Sequence, residues 1–172
     1  MRFATSERVS ALKVERFFEG VFAASEGRAE GERIGRLVRE LIAETGPEDL
    51  RGFIAEADGE LLGAIFFSRL SFQGGGRVFL LSPVAVHQDY QGKGIGQQLI
   101  RHGLEAMRGE GISIVATYGD PALYGKVGFE GVPVEQIPAP FPLSQPIGWL
   151  ALSLDGSPLA AIEGPSRCVG AG

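Results

Sequence analysis

The sequence has one cysteine, Cys168, so it can neither close an internal disulfide nor build a cysteine-rich metal site, and no metal centre is expected. A reactive thiol needs an electropositive setting, and Cys168 reads instead as an inert side chain near the end of the chain. Basic charge is also scarce. The formal net charge is −5, whereas nucleic-acid binding usually rests on a basic face that neutralises phosphates, so no nucleic-acid partner is expected. No stretch approaches the roughly 18 apolar residues of a membrane helix. The N-terminal stretch interleaves charges (Arg2, Glu7, Arg8, Lys13, Glu15, Arg16) with apolar residues, which is not the core of a signal peptide. These absences point to a cytoplasmic protein with no membrane partner.

What remains is ordinary globular composition, with 44% apolar and 22% charged residues in 172, which suits a single domain over residues 1–172. Over residues 6–24, Val14, Phe17, Phe18, Val21 and Phe22 fall on one face of a helix, and at that spacing the three phenylalanines read as core more readily than as a pocket. Residues 26–31 are read as a break. A second helix carries Ile34, Leu37, Val38, Leu41 and Ile42 at the same period and stops at Gly46-Pro47. The period then changes: residues 53–57, the turn Asp58-Gly59 and residues 61–72 predict a β-hairpin, and residues 73–77 a flexible connection.

Residues 78–86 form a continuous apolar strand, expected to be central and covered on both faces. Pro83 within it lacks a ladder donor, which is expected only at a bulge or where the sheet parts. A helix over 97–108, a buried strand over 112–117 and a short helix over 121–127 follow, the last with Asp120 as N-cap and Pro121 in the first turn. Five prolines forbid long regular structure over 131–148, and residues 149–154 make a final strand. The order of elements predicts an α+β domain.

Between the central strand and its following helix stands Gln91-Gly92-Lys93-Gly94-Ile95-Gly96. Glycines at alternate positions bring an anion close to the main chain, and the helix end adds partial positive charge, so the loop suits a phosphate. Lys93 either adds a mobile charge or is merely solvated. A Walker loop would continue Gly-Lys-Ser/Thr, but Gly94 follows Lys93; a dinucleotide loop would read Gly-x-Gly-x-x-Gly directly after its strand, but residues 87–90 intervene. The residues alone leave open which phosphate ligand is bound, and a plain tight turn stays in view.

Three separated features resemble the GNAT acetyltransferase superfamily. Gln91–Gly96 matches its pyrophosphate loop, Gln/Arg-x-x-Gly-x-Gly/Ala; residues 83–90 resemble the strand that leads into it; and Leu123-Tyr124-Gly125-Lys126-Val127-Gly128-Phe129 resembles its Tyr-x-x-x-Gly-Phe element. The resemblance covers roughly residues 50–132. It implies a mixed, mostly antiparallel sheet flanked by helices and splayed near the central strand. It also implies acetyl-CoA as co-substrate, main-chain pairing of Val84, Ala85 and Val86 with the pantetheine arm, and diphosphate binding by Gln91, Gly92, Lys93, Gly94, Ile95 and Gly96. Tyr124 is implied as the residue beside the sulfur, the alternative being a core ring packed on Phe129. Where many members carry asparagine, this chain has Thr117, Gly119 and Asp120, which leaves cofactor contacts from that turn open.

The activity implied is acetyl transfer to a primary amine of a small molecule or peptide, by direct attack in a ternary complex, with a homodimer allowed. A non-catalytic acyl-CoA sensor and, from the glycines alone, a nucleotide-binding domain are the other readings. No general base declares itself. His102 is expected on the solvent side of its helix, His87 in a loop role, and Glu56, Asp58 and Glu60 on a solvated hairpin tip; Ser82 is expected to do no more than order a water.

Overall fold

The computed structural model describes residues 1–73 and 77–169. Of the connection expected over 73–77, residues 74–76 lie outside the described residues. The chain runs β1 (Arg2–Thr5), α1 (Ala11–Glu26), α2 (Arg28–Glu44), β2 (Leu50–Ala57), β3 (Glu60–Phe72), β4 (Val78–Val86), α3 (Ile95–Gly109), β5 (Ile114–Tyr118), α4 (Pro121–Tyr124), β6 (Glu130–Gly131), β7 (Trp149–Ser153) and β8 (Ser166–Cys168). The strands follow the order β1-β2-β3-β4-β5-β7-β6, with β8 on β3. The pairs β1/β2, β3/β8, β5/β7 and β6/β7 are antiparallel, and β4/β5 is parallel. This is the α+β domain that the order of elements predicted, with the mixed, mostly antiparallel sheet that the resemblance implied. The described residues divide into two compact units: Met1–Phe66 with Pro83–Gly103, and Phe67–Ser82 with residues 104–169.

In the first unit, Val14, Phe18 and Val21 of α1 and Ile34, Val38 and Leu41 of α2 pack on Ile54, Leu61, Ala64, Phe66 and Ala85. Gly63 lets Leu99 and Ile95 of α3 close in, because a Cβ there would stand 3.2 Å from Leu99 Cδ2 and 3.3 Å from the Ala85 carbonyl. The helix starts later than its periodicity suggested. Residues 6–8 form a 3₁₀ turn, and Ser10 caps α1 by accepting from the Lys13 N–H at 3.1 Å. The β2–β3 turn fits its sequence: Asp58 and Gly59 have φ of 52° and 79°, the pair of positive angles a two-residue hairpin turn requires.

The break expected over 26–31 is a single residue. Gly27, at φ 100°, ends α1 and opens α2. Gly31 is inside α2, buried against α1, where a Cβ would stand 2.6 Å from the Glu19 carbonyl and 2.7 Å from Ala23 Cβ. Alanine ordinarily favours a helix interior over glycine by about 1 kcal/mol, but overpacking against main chain costs about 1–3 kcal/mol. Since the contacts here are main-chain atoms of Glu19 and Ala23 and the fixed Cβ of Ala23, none of which can swing aside, packing wins. Gly31→Ala is expected to lower stability by about 1–2 kcal/mol, read as a lower urea midpoint; a midpoint equal to or above that of the parent would show that α1 and α2 are not held this tightly.

In the second unit, Leu70, Phe72, Val78, Leu80, Ala116, Trp149 and Ala151 form the core. The proline-rich segment packs on it without long regular structure, held by Trp149 Nε1 donating to the Ile137 carbonyl at 2.8 Å and Ser166 Oγ donating to the Pro138 carbonyl at 2.7 Å. Its far end is pinned by Tyr118, whose hydroxyl accepts from Gln145 N–H at 2.7 Å and meets Ser144 Oγ at 3.0 Å. The parallel register runs from Val78↔Ile114 to Leu81↔Thr117, and Pro83 follows two residues on. Cys168 pairs with Leu70 in β8, and burial pushes its thiol pKa up, which suits an inert side chain.

Candidate functional site

The loop after β4 is shaped by residues 87–90. His87 Nδ1 accepts from the Asp89 N–H at 3.1 Å and caps the 3₁₀ turn Gln88–Tyr90, the loop role expected of it. The turn sets the Tyr90 ring beneath Lys93, whose Nζ stands 5.2 Å from the ring centroid, so Lys93 has a partner as well as solvent. Gln91 folds back, its Nε2 donating to the Val86 carbonyl at 3.0 Å. Residues 91–94 are exposed.

Gly92 and Gly94 have φ of 79° and 81°, in the left-handed region where side chains are strained. An added Cβ at Gly92 would meet nothing within 4 Å, so this glycine serves backbone shape and leaves an open cradle. The first helical bond of α3 runs from Gln98 N–H to the Gly94 carbonyl at 3.0 Å. The N–H groups of Ile95, Gly96 and Gln97 precede it and have no carbonyl one turn back within the helix. Gly96 is packed from beneath, 3.1 Å from Val86 Cγ2 for an added Cβ, while Ile95 anchors the turn in the core. Positive-φ glycines, exposed main chain and a helix end together fit a diphosphate.

Strand β4 has two different edges. The His87 N–H donates to the Leu62 carbonyl at 2.8 Å, on the β3 side. Main-chain groups alternate along a strand, so Ala85 also faces β3, whereas Val84 and Val86 face the other way, where the Val86 carbonyl meets Gln91. Of the three residues expected to pair with a pantetheine arm, Val84 and Val86 carry outward main-chain groups, and Ala85 supplies core packing.

Tyr124 ends α4. Asp120 accepts from the Ala122 N–H at 2.9 Å and Pro121 fills the first turn, as their order in the sequence predicts. The ring is buried, edge-on to Phe129 at 5.8 Å, and lies against Gly119, where a Cβ would stand 2.5 Å from Tyr124 Cε2. Burial raises the pKa of the phenol, and the neighbouring Thr117 hydroxyl offsets part of that rise. Thr117 donates its proton to the Leu81 carbonyl at 2.9 Å, which limits its support for a phenolate. Sequence reasoning met Thr117 only as a departure from a family pattern; its signal is a hydroxyl on an otherwise apolar buried strand.

The hairpin carboxylates differ from expectation in one respect. Glu56 is not solvated: its carboxylate is largely buried and ion-paired to Arg8 at 2.5 Å and Arg2 at 3.4 Å, because β1 brings Arg2 alongside it. His102 is exposed, as its helical position predicts, and its ring stacks on Phe3 at 5.2 Å. Phe18 is core, whereas Phe17 is partly buried and lines a cavity of about 270 Å³ with Lys13, Glu60 and His87. Among the described residues no group of three or more His, Cys, Asp or Glu gathers to hold a metal, and no helix is long and apolar enough to cross a membrane.

The acetyltransferase (GNAT) family profile matches residues 15–129. The uncharacterized N-acetyltransferase YjhQ of Escherichia coli (strain K12) is 32% identical over 138 residues, 77% of this chain and 76% of that protein. The crystal structure of the GNAT family N-acetyltransferase YhbS from Escherichia coli in complex with CoA superposes with a TM-score of 0.78 at 25% identity, covering 97% of this chain and 88% of that one. A GNAT family acetyltransferase from Brucella melitensis in complex with acetyl-CoA gives a TM-score of 0.73 at 27% identity, over 96% and 94%.

Proposed function

This chain belongs to the acetyltransferase (GNAT) family, and on that premise we propose that it moves the acetyl group of acetyl-CoA to a primary amine of a small molecule or peptide by direct attack. The observation that carries the reading is the loop Gln91–Gly96, exposed over residues 91–94, with two left-handed glycines ahead of α3. Its amides hold the diphosphate, and Lys93 supplies charge at the rim. Val84 and Val86 pair with the pantetheine arm through their outward main-chain groups, in the manner of an added strand. Tyr124 donates a hydrogen bond to the sulfur as the thiolate leaves. Two bound relatives, YhbS with CoA and the Brucella protein with acetyl-CoA, support the choice of carrier.

Holding amine and thioester together removes much of the entropic barrier. The amine attacks the thioester carbon as the free base, the C–S bond breaks, and the proton lost from nitrogen passes to solvent. No side chain is assigned as general base: Glu56 is ion-paired, and His87 Nδ1 is engaged by a backbone amide. Both compact units serve one acetyltransferase domain in this reading, in a reducing cytoplasm, and a homodimer is compatible with it.

Ligand-dependent melting tests the assignment. CoA at about 100 times its dissociation constant adds about 2.7 kcal/mol, and a chain of this size gains about 2–4 °C per kcal/mol. The expected result is a rise of about 5–10 °C with CoA and no comparable rise with ATP or NAD. Equal stabilisation by ATP or NAD would return the loop to a general nucleotide site. Thiol release from acetyl-CoA across an amine panel then separates a transferase from a sensor.

A further inference from the structure

The loop Gln91–Gly96 is joined to β4 through one turn, Gln88–Tyr90, and that turn is held from His87. The His87 N–H donates to the Leu62 carbonyl at 2.8 Å, and the His87 carbonyl accepts from the Tyr90 N–H at 2.8 Å, so its main chain is fixed on both sides. Its side chain closes the turn, with Nδ1 accepting from the Asp89 N–H at 3.1 Å. The same ring meets Tyr90 edge-on at 5.6 Å, and Lys93 stands over the Tyr90 face. Contacts therefore run from the cap into the loop, His87 to Tyr90 to Lys93.

The usual caps are Asn, Asp, Ser and Thr, whose oxygens stay acceptors near neutral pH. Histidine differs. An imidazole nitrogen that accepts a hydrogen bond carries no proton, so this cap belongs to the neutral ring with its proton on Nε2. Protonation makes Nδ1 a donor facing another donor, the Asp89 N–H, and the cap is lost. The Asp89 carboxylate, with Oδ2 3.9 Å from Nδ1, is then the partner within reach, and turning to it draws the ring off the amide. The other charged groups around the ring are Lys13 of α1 and Glu60 of β3, which line the recess His87 shares, and Lys93 over the Tyr90 ring. Two cations and two carboxylates balance, so the surroundings do not bar a charged ring. Histidine side chains ordinarily change charge between about pH 5 and 8.

We infer that His87 is a positioning residue for the cofactor loop, and a proton-operated one. Neutral, it caps the turn that presents Gln91–Gly96 to a diphosphate; protonated, it releases that turn, and CoA binds less tightly in mild acid. The CoA half of this rests on the acetyl-transfer reading. A charged ring also attracts a diphosphate, but at the solvated end of the strand that attraction is screened and the lost cap outweighs it.

The first measurement needs no ligand. Nitrogen-15 NMR of the full chain at about pH 8 should show His87 as the Nε2–H tautomer, and on acidification the Asp89, Gly92 and Gly94 amides should shift with the same midpoint as the ring. A proton on Nδ1 at that pH, or amides that ignore the ring, would overturn the inference. Calorimetry with CoA follows. At about pH 8, His87→Ala should weaken binding about threefold to tenfold, the range of one lost cap. His87→Asn, whose Oδ1 can take the same amide, should restore it. Towards about pH 5.5 the parent should lose affinity by a similar factor relative to His87→Asn, since His102 and the CoA phosphates are common to both proteins and cancel. Parallel pH profiles, no rescue by asparagine, or a parent that tightens in acid relative to His87→Asn would each sink the idea. A parent that binds no CoA at the higher pH removes the acetyl-transfer reading alone, because the ligand-free spectra still decide what the ring does to the loop.

Discussion

Gly94→Val is expected to weaken CoA binding at least about a hundredfold while leaving the chain folded. Gly94 has φ 81°, and a β-branched residue there is a backbone outlier. Space is not the obstacle, because the nearest atom to an added Cβ is Gln98 Nε2 at 3.8 Å. The substitution therefore acts by forcing the main chain out of its left-handed turn. That turn fixes the direction of the amides that follow, since the Gly94 carbonyl takes the first helical bond of α3. Losing two charge-assisted amide–phosphate hydrogen bonds, each worth about 1.5–3 kcal/mol, amounts to a hundredfold or more. The cost to folding is smaller, about 1–3 kcal/mol for one strained residue at an exposed position. Lys93→Ala should cost only a few-fold, because an exposed lysine on a tyrosine face contributes a screened charge. Calorimetric titration of both variants checks the ranking. A folded Gly94→Val protein with parental affinity would remove the diphosphate from this loop.

The shape of the loop was legible in the sequence because its determinants are local. Alternate glycines, a preceding strand and a following helix lie within a few residues, and two of the glycines take up the left-handed angles that explain their presence. The hairpin at Asp58-Gly59 and the cap at Asp120-Pro121 were legible for the same reason. The strands that sequence reasoning missed are those whose partners are distant in the chain. β1 pairs with Phe53–Glu56 across both N-terminal helices, and β8 pairs with Leu70–Phe72 from the other end of the chain. Each is three or four residues long, too short for alternation to register. The missed β1 also explains the misplaced Glu56, because Arg2 reaches that carboxylate only through the strand pairing. Gly31 was misread for a related reason: glycine has the same letter as a breaker and as a contact residue, and only the neighbouring helix distinguishes them.

Tyr124→Phe tests the chemical step, and the expected outcome is a kcat lower by about tenfold to hundredfold with KM for acetyl-CoA nearly unchanged. A hydrogen bond to a charged group contributes about 1.5–3 kcal/mol, and here the charge exists only as the thiolate departs, so the loss appears in kcat. Full proton donation is not required of Tyr124. A phenol near pKa 10 facing a thiol near 8.5 is already uphill by roughly 2 kcal/mol, and burial raises the phenol further. The sign of that shift fixes the pH behaviour. The phenol stays protonated in the folded protein as pH rises past 10, so tyrosine ionisation does not limit the rate below that value. Its contribution to stability is fully present below the unfolded pKa near 10 and is lost as pH climbs through the raised folded value; Tyr124→Phe should remove this part of the alkaline loss. The variant keeps the ring against Gly119 and edge-on to Phe129, so melting near neutral pH should change little and a fall in rate cannot be charged to misfolding. An acetyl thioester with a more acidic thiol needs less help at sulfur, and with it the gap between Tyr124→Phe and the parent should narrow. A gap that stays constant across thioesters, or no loss of kcat at all, would reduce Tyr124 to a packing residue.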